Sequence, residues 1–589
     1  MKIEKLDAYP PGSQFAVDLV IIGGGPAGLT IAREFSNSSI TVLVLESGLE
    51  VEEAAYMELN NLESNGEPQS PAALEFRAAF HGNNIASFDQ DTQPFGIRCR
   101  VLGGSAIYWG GKSALFDRTD FSARDWVPNS GWPISRDQLE PYFDRAAEVL
   151  NLGPNLYDEK LWALINKRIE RPPIDNTKLQ SFFWQFARSS FDHTRVMSFA
   201  DEFRAADSKN IRTLTGATAV RLDTDVTGKK FAGVEVSTMG RARSYVVAKV
   251  CVLAAGSIEN ARLLLNSNHQ HPCGLGNQHD VVGRYLMDHP GTRIGYFKKE
   301  DVWVAKFLGF YPVAHKGALF LYMHGLVFAP AYQAKEKLLN SAIYVLPEIA
   351  PDDPVEAIKR LLRFKSSSIS SDLWSSLGGA TLLVKGVGLM TIRNRFFPRM
   401  LQRLIVDLLT MIGPGFVVRE FQSKGVPHKL KSLGIHVITE QEPDPESRVV
   451  LSDQTDALGM RKARATWKIS EVERRSVVRI GQLMREELPK AGLPEPILDD
   501  WIVNDRPADG ALVDMAHIIG TTRMSDDPRT GVVDTQCEVY GVEGLYIAGS
   551  SVFPTSGHAN PTLMILSIAL RVADHLKRIL AQQAGKAAA

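Results

Sequence analysis

The stretch from Phe15 to Gly48, FAVDLVIIGGGPAGLTIAREFSNSSITVLVLESG, constrains the fold more than any other part of the chain. An apolar run from Val17 to Ile22 reads as a strand, and Gly23, Gly25 and Gly28 follow it in the G-x-G-x-x-G spacing. Pro26 and Ala27 open a helical stretch, and a second apolar run, Ile40 to Leu45, ends in Glu46 and Ser47. The first glycine permits a tight turn, the second lets backbone approach a pyrophosphate, and the third lets helix and strand pack together. The helix N-terminus offers unpaired N–H groups and partial positive charge. Glu46, at the end of the second strand, is placed to accept hydrogen bonds from an adenosine ribose. Its plain alternative is an ordinary surface acid. A strand, turn, helix, strand and acid in this order predict a dinucleotide-binding Rossmann-like domain.

Composition bounds the rest. A chain of 589 residues, 44% hydrophobic and 23% charged, can bury a large core and is expected to form two domains. Its net charge of −1 gives no electrostatic case for a nucleic-acid partner. Cys99, Cys251, Cys273 and Cys537 are scattered without a C-x-x-C pair, which argues against a zinc site or a disulfide scaffold and fits a reducing compartment. The first residues, MKIEKLDAYPPGSQ, contain neither an apolar core nor a twin arginine, and no long apolar run follows, so a cytoplasmic location is expected.

After Gly48 the chain reads as polar and helical to about Gly82. Glycines and small residues then crowd the segment Arg98 to Phe116 (RCRVLGGSAIYWGGKSALF), as backbone lying against a flat ligand would require; a glycine-rich turn is the alternative. In a flavin protein that ligand would be the isoalloxazine ring, with Gly103, Gly104, Ser105, Tyr108, Trp109, Gly110 and Gly111 as its contacts. Residues 151–200 read as irregular, with aromatics at Phe182, Phe183, Trp184 and Phe186. A strand over Ile211 to Leu222 is expected beside the adenosine, with Ala219 and Val220 as contacts. A hairpin follows, and a buried strand from Val250 runs into Ala255 and Gly256. Between Val355 and Arg403, Lys359, Arg360, Arg363, Lys365, Lys385, Arg393, Arg395, Arg399 and Arg403 stand against Glu356 and Asp372 alone. Leu401, Leu404, Ile405, Leu408 and Ile412 form a helical apolar stripe. Such a basic amphipathic segment can lie on an anionic membrane; more often it covers its own protein's core or a subunit partner. Near the C-terminus, His517–Met524 precedes another apolar strand running into Gly549 and Ser550. Asn560-Pro561-Thr562 then caps a helix from Leu563 to Leu580, whose dipole can face a flavin's N1–C2=O end.

Taken together, Val17–Gly48, Leu102–Gly111, Gly283–Pro290, Glu440-Gln441 with Asp444–Ser452, and His517–Ala573 resemble the glucose-methanol-choline (GMC) family of FAD oxidoreductases, in its pyranose oxidase and bacterial sugar dehydrogenase branch. The resemblance implies one FAD and an α/β fold in which a Rossmann-like domain is joined to an α+β substrate domain on an antiparallel sheet. The expected layout is cofactor domain 1–150, substrate-domain excursion 151–200, cofactor domain 201–295, substrate domain 296–510 with a basic helical insertion at 354–414, and cofactor domain 511–589. It also implies oxidation of an alcohol, here a secondary hydroxyl of a sugar or glycoside. His517 matches the catalytic base, for which an imidazole suits neutral pH, and Asn560 matches the residue that holds the substrate oxygen. His558 and Arg523 are weaker candidates for substrate contact, and His289 falls in a motif of expected structural role.

One departure stands out. Where pyranose oxidase carries a histidine bonded to the flavin, this chain has Tyr108, so FAD is expected to be held without a covalent bond. No metal is expected. Electrons would pass to a quinone, a cytochrome or oxygen, and the segment 354–414 is the candidate contact with a membrane or a partner subunit. A sterol or long-chain alcohol oxidase is the rival enzyme reading, favoured by a strongly apolar pocket. A catalytically silent flavin-binding subunit is the other.

Overall fold

The computed structural model describes residues 2–65, 70–81, 97–165, 171–192, 195–362, 368–378, 388, 391–392, 397–413 and 428–588. Two eight-stranded sheets dominate it. In the first, Gln14–Ile22 lies between Val42–Leu45 and Arg243–Leu253, and all three run parallel. Ile211–Thr215 and Lys2–Lys5 extend one side in parallel. Leu545–Ile547 pairs in parallel with Arg243–Leu253, while Phe231–Ser237 and Thr218–Thr224 add an antiparallel edge. The central strands are apolar on both faces because helices cover both. Leu19, Ile21, Val44 and Val252 are wholly buried. The helix Pro26–Glu34 packs on the C-terminal helix Thr562–Ala588, which in turn packs on Glu140–Val149.

The second sheet is antiparallel throughout, in the order Ile497–Leu498, Gly291–Phe297, Leu430–Thr439, Ser341–Ile349, Ala318–Phe328, Leu179–Phe186 and Lys112–Ser113, with Phe310–His315 also on Ala318–Phe328. The helix Glu471–Lys490 lays Val477, Ile480, Leu483 and Met484 into a core with Ile343, Val345, Ile435 and Val437 from this sheet.

Several sequence expectations change here. The aromatic stretch within 151–200 is not irregular, for Phe182, Phe183, Trp184 and Phe186 belong to the strand Leu179–Phe186. Its side chains are buried on both faces, which erases the alternation that marks a half-exposed strand. The single strand over Ile211 to Leu222 is two, broken at Gly216, whose φ of +64° turns the chain. The stretch after Gly48 is only partly helical, as Ala54–Met57 and Pro71–His81 with a two-residue strand, Glu63–Ser64, between them. In the segment 354–414, helices span Pro354–Leu362, Ile369–Gly378 and Arg399–Ile412. The apolar stripe of the last does not cover the chain's own core: Leu401, Leu404 and Leu408 are exposed. Arg363, Lys365, Lys385, Arg393 and Arg395 lie outside the described residues.

The parallel strands end at one edge, in Gly23, Glu46, Ala254 and Ala548. That edge requires glycine. A Cβ on Gly23, at φ +113°, would stand 2.4 Å from the carbonyl oxygen of Ala254, and one on Gly28 would stand 2.0 Å from that of Gly23. Gly28→Ala must therefore push the helix Pro26–Glu34 off the strand Gln14–Ile22. The expected outcome is a loss of about 1–3 kcal/mol in stability, as for other overpacked sites, with loss of bound cofactor; thermal unfolding and the visible spectrum of the purified variant check both.

Candidate active site

A cavity of about 570 Å³ runs along the carboxyl edge of the parallel sheet. Gly23, Gly25, Pro26, Ala27, Glu46, Ser47, Gly104, Ser105, Tyr108, Trp109, Gly110, Ala219, Ala255, Gly256, Gly549, Ser550, Asn560, Pro561 and Thr562 line it, as does His517. Of the other sequence candidates, Gly28, Gly103, Gly111 and Val220 stand behind this lining, and so do His558 and Arg523. Position in a parallel sheet explains the convergence, since ligands of such sheets bind beyond the strands' carboxyl ends at the switch in strand order.

The residues present fit FAD. A Cβ added to Gly110, Gly256 or Gly549 would meet nothing within 4 Å, so each glycine opens backbone to the cavity. At one end Glu46 accepts hydrogen bonds from the N–H groups of Gly24 and Gly48, both at 2.8 Å. Burial still pushes its carboxyl up to about 7, against those donors and nearby Arg100. Next to it stands a cluster that the sequence reading did not single out. Arg100 reaches Ser47 Oγ at 2.8 Å and Glu259 at 2.7 Å, and Arg98 and Arg262 reach the same Glu259 at 3.1 and 3.2 Å. Burial alone would raise the Glu259 carboxyl, but Arg100, Arg262 and Arg98 hold it down to about 2. The signal was present, since Arg98 and Arg100 immediately precede the glycine pair. At the other end the 27-residue helix Thr562–Ala588 starts at the cavity wall, and the Oδ1 of Asn560 is buried there without a partner. The Tyr108 hydroxyl donates to Glu52, and burial followed by that carboxylate raises its pKa above the usual phenol value.

The geometry around His517 fixes its protonation. His289 Nε2 lies 2.9 Å from the Ser556 carbonyl oxygen, which can only accept, so Nε2 carries the proton. Burial pushes His289 down to about 4, so the ring is neutral near pH 7 and its Nδ1 is an acceptor. His517 Nδ1, 2.9 Å away, must then donate to it. The Nε2 of neutral His517 is left with a lone pair, and Asn560 Nδ2 donates to it at 3.1 Å. His289 therefore sets the tautomer of His517, a role beyond the structural one its motif implied.

The loop carrying His517 is held from below. Asp288 Oδ1 accepts from the N–H of His289 at 2.6 Å and of Met515 at 2.9 Å, and Oδ2 from that of His517 at 2.9 Å. Burial and then Asp514 push the Asp288 carboxyl up to about 8 against these three donors. Ala516, just before His517, has φ +60°, an unfavourable conformation for alanine that these bonds sustain. Ser257 Oγ and Ser550 Oγ both donate to the Ile518 carbonyl, at 2.7 and 2.6 Å.

Two weaker candidates are placed otherwise. Arg523 donates to the Asn129 carbonyl at 2.9 Å and lies 4.3 Å over the Tyr285 ring. His558 is wholly buried with neither ring nitrogen hydrogen-bonded, Nδ1 standing 4.0 Å from Asp117 and the ring 4.5 Å from that of Phe182. One further group was missed. Lys112 lines the cavity, with Nζ 4.0 Å from the Trp184 ring centre and 3.6 Å from that of Tyr344. It makes no ion pair among the described residues, and burial lowers its pKa well below the usual lysine value. Trp109, Phe186, Tyr344 and Ile438 complete this end of the wall. No group of His, Cys, Asp and Glu among the described residues is arranged to hold a metal.

Comparison with known proteins agrees with this geometry. The chain is 22% identical to the fructose dehydrogenase large subunit of Gluconobacter japonicus over 96% of its own length and 99% of that protein's. It is 23% identical to paromamine 6'-oxidase of Streptomyces fradiae over 94% and 90% of the two chains. Its fold resembles a crystal structure of formate oxidase with a TM-score of 0.53, at 17% identity over 97% of this chain and 99% of that one. Two family models described as GMC oxidoreductase match residues 185–291 and 443–569, and between them they take in His289, His517 and Asn560. The chain belongs to the GMC oxidoreductase family, FAD enzymes that oxidise the CH–OH group of their donors.

Proposed function

We propose that this protein oxidises a secondary hydroxyl of a pyranose ring, in a free sugar or a glycoside, to a ketone. The observation that carries the reading is the pair His517 Nε2 and Asn560 Nδ2, 3.1 Å apart in the cavity wall. A hydroxyl seated against both replaces this bond: it donates its proton to the Nε2 lone pair and accepts a hydrogen bond from the amide. Bound FAD supplies the acceptor for the hydride that leaves the carbinol carbon. His517 becomes a cation as it takes the proton, while His289 keeps its Nδ1 lone pair on the His517 Nδ1–H and holds the ring in place. Proton removal by a group fixed in this way is general-base catalysis. Trp109, Phe186 and Tyr344 offer flat surfaces to the apolar face of a ring, and the Lys112 amino group offers hydrogen bonds to neighbouring hydroxyls. Sugar-directed relatives point the same way. The reduced enzyme then passes its electrons to a quinone, a cytochrome or a dye in preference to oxygen.

A second reading, an apolar or aromatic alcohol, draws on one observation. Residues 300–500 contribute only Tyr344, Ile438 and Met460 to the lining among the described residues, and of these only Tyr344 carries a hydroxyl.

Three outcomes are expected. Because Tyr108 replaces a linking histidine and its hydroxyl is engaged by Glu52, acid precipitation should release the yellow chromophore into the supernatant; colour retained in the pellet defeats the non-covalent assignment. His517→Ala should slow anaerobic flavin reduction about 10²–10⁴-fold with FAD still bound, the usual loss for a positioned base, and Asn560→Ala should cost less because only a hydrogen bond is removed; stopped-flow absorbance measures both. Finally, a panel of free pyranoses and glycosides should bleach the flavin anaerobically. Lys112→Met should raise KM for them up to about tenfold, the worth of one hydrogen bond. Bleaching by long-chain or aromatic alcohols alone would decide for the second reading.

A further inference from the structure

The helix Arg399–Ile412 is built inside out. Gln402, Val406 and Thr410 point inward and are buried, and Gln402 Nε2 donates to the Ile392 carbonyl at 3.0 Å. Met400, Leu401, Leu404, Leu408, Met411 and Ile412 are exposed, Met400 by 82%, Leu404 by 65% and Ile412 by 75%. At about 100° per residue these six fall within one third of the helix circumference, so the helix shows water a continuous apolar stripe while Gln402 and Thr410 turn inward. Scattered exposed apolar residues are ordinary, but a contiguous stripe marks a contact surface.

Charge and length choose the occupant. The only acid of the helix, Asp407, lies near the buried Arg188, whose guanidinium burial pushes below the usual arginine value while the Asp407 charge opposes that shift; the exposed Arg399 and Arg403 are left as the helix's free charge. The chain as a whole is balanced at −1, so this basic concentration is local. Among the described residues no helix is long and apolar enough to cross a membrane. A 14-residue helix with an apolar stripe and flanking arginines instead lies in the plane of a bilayer surface. On the helix Ile369–Gly378, Trp374 is 77% exposed, and tryptophan favours the headgroup region.

We propose that the helix Arg399–Ile412 docks this protein on an anionic lipid bilayer, its apolar stripe among the upper acyl chains and Arg399 and Arg403 at the headgroups. The helix touches the chain that leads away from the site. Arg399 donates to the Phe191 carbonyl at 3.2 Å, on the chain leaving the strand whose Phe186 lines the cavity.

Co-sedimentation of the FAD-loaded protein with vesicles tests this. Wild type is expected to bind vesicles of phosphatidylglycerol and phosphatidylcholine, and to bind pure phosphatidylcholine more weakly. Leu404→Asp with Leu408→Asp should weaken binding at least about tenfold, from lost apolar burial. Arg399→Gln with Arg403→Gln should weaken it about fivefold per charge removed on anionic vesicles only. All substituted side chains face water, so flavin absorbance and substrate reduction should be unchanged. The proposal is overturned if wild type stays in the supernatant with both vesicle types, or if the aspartate pair binds as wild type does. It is equally overturned if sedimentation analysis without lipid shows a dimer that the aspartate pair dissociates while vesicles bind neither form; the stripe is then the contact between two copies.

Discussion

Close backbone approach at the carboxyl edge of the parallel sheet is the constraint on which the rest depends. The strands ending at Gly23, Glu46, Ala254 and Ala548 come from distant parts of the chain and meet where side chains have no room. With no Cβ at Gly23 and Gly28, the helix Pro26–Glu34 seats on its strand and turns its N-terminal N–H groups to the cavity. The same absence at Gly110, Gly256 and Gly549 leaves backbone as the cavity wall. A flat cofactor is thus gripped by main chain, whose hydrogen-bonding groups do not depend on side-chain identity.

The His517 end of the cavity depends on a different device, a line of groups in which each proton's position dictates the next. It begins at a backbone carbonyl, passes through His289 and His517, and ends at the Asn560 amide. Its direction is set because the carbonyl of Ser556 cannot donate. Burial reinforces it by denying His289 a second proton. Asp288, accepting three backbone N–H groups, fixes both histidines and holds Ala516 at a positive φ. A carboxylate that touches neither imidazole thus places both.

The aromatic and cationic end of the cavity comes from the second sheet and the short strand Lys112–Ser113 at its edge. Lys112 sits between Trp184 and Tyr344, whose negative ring faces compensate in part for the lost hydration of its ammonium. The parallel sheet thus supplies what holds the cofactor, and the antiparallel sheet supplies most of what can sort substrates.

The sequence by itself determined the cofactor half. Spacing of glycines between two apolar runs is a local signal, and so Gly23, Gly25, Glu46, Gly256 and Gly549 were all legible as lining residues. His517 and Asn560 were legible through their motifs. Tertiary structure decided whatever depends on residues far apart in the chain. That His289 sets the tautomer of His517 follows from a contact across 228 positions, which no spacing rule encodes. Arg98 and Arg100 converge on Glu259, and Lys112 is caged by rings from two other strands, by the same kind of long-range packing. The stripe on Arg399–Ile412 was visible as a periodicity, but periodicity states only that one side of a helix is apolar. Which side turns inward is settled by what the rest of the chain packs against it, and here the chain took the polar side.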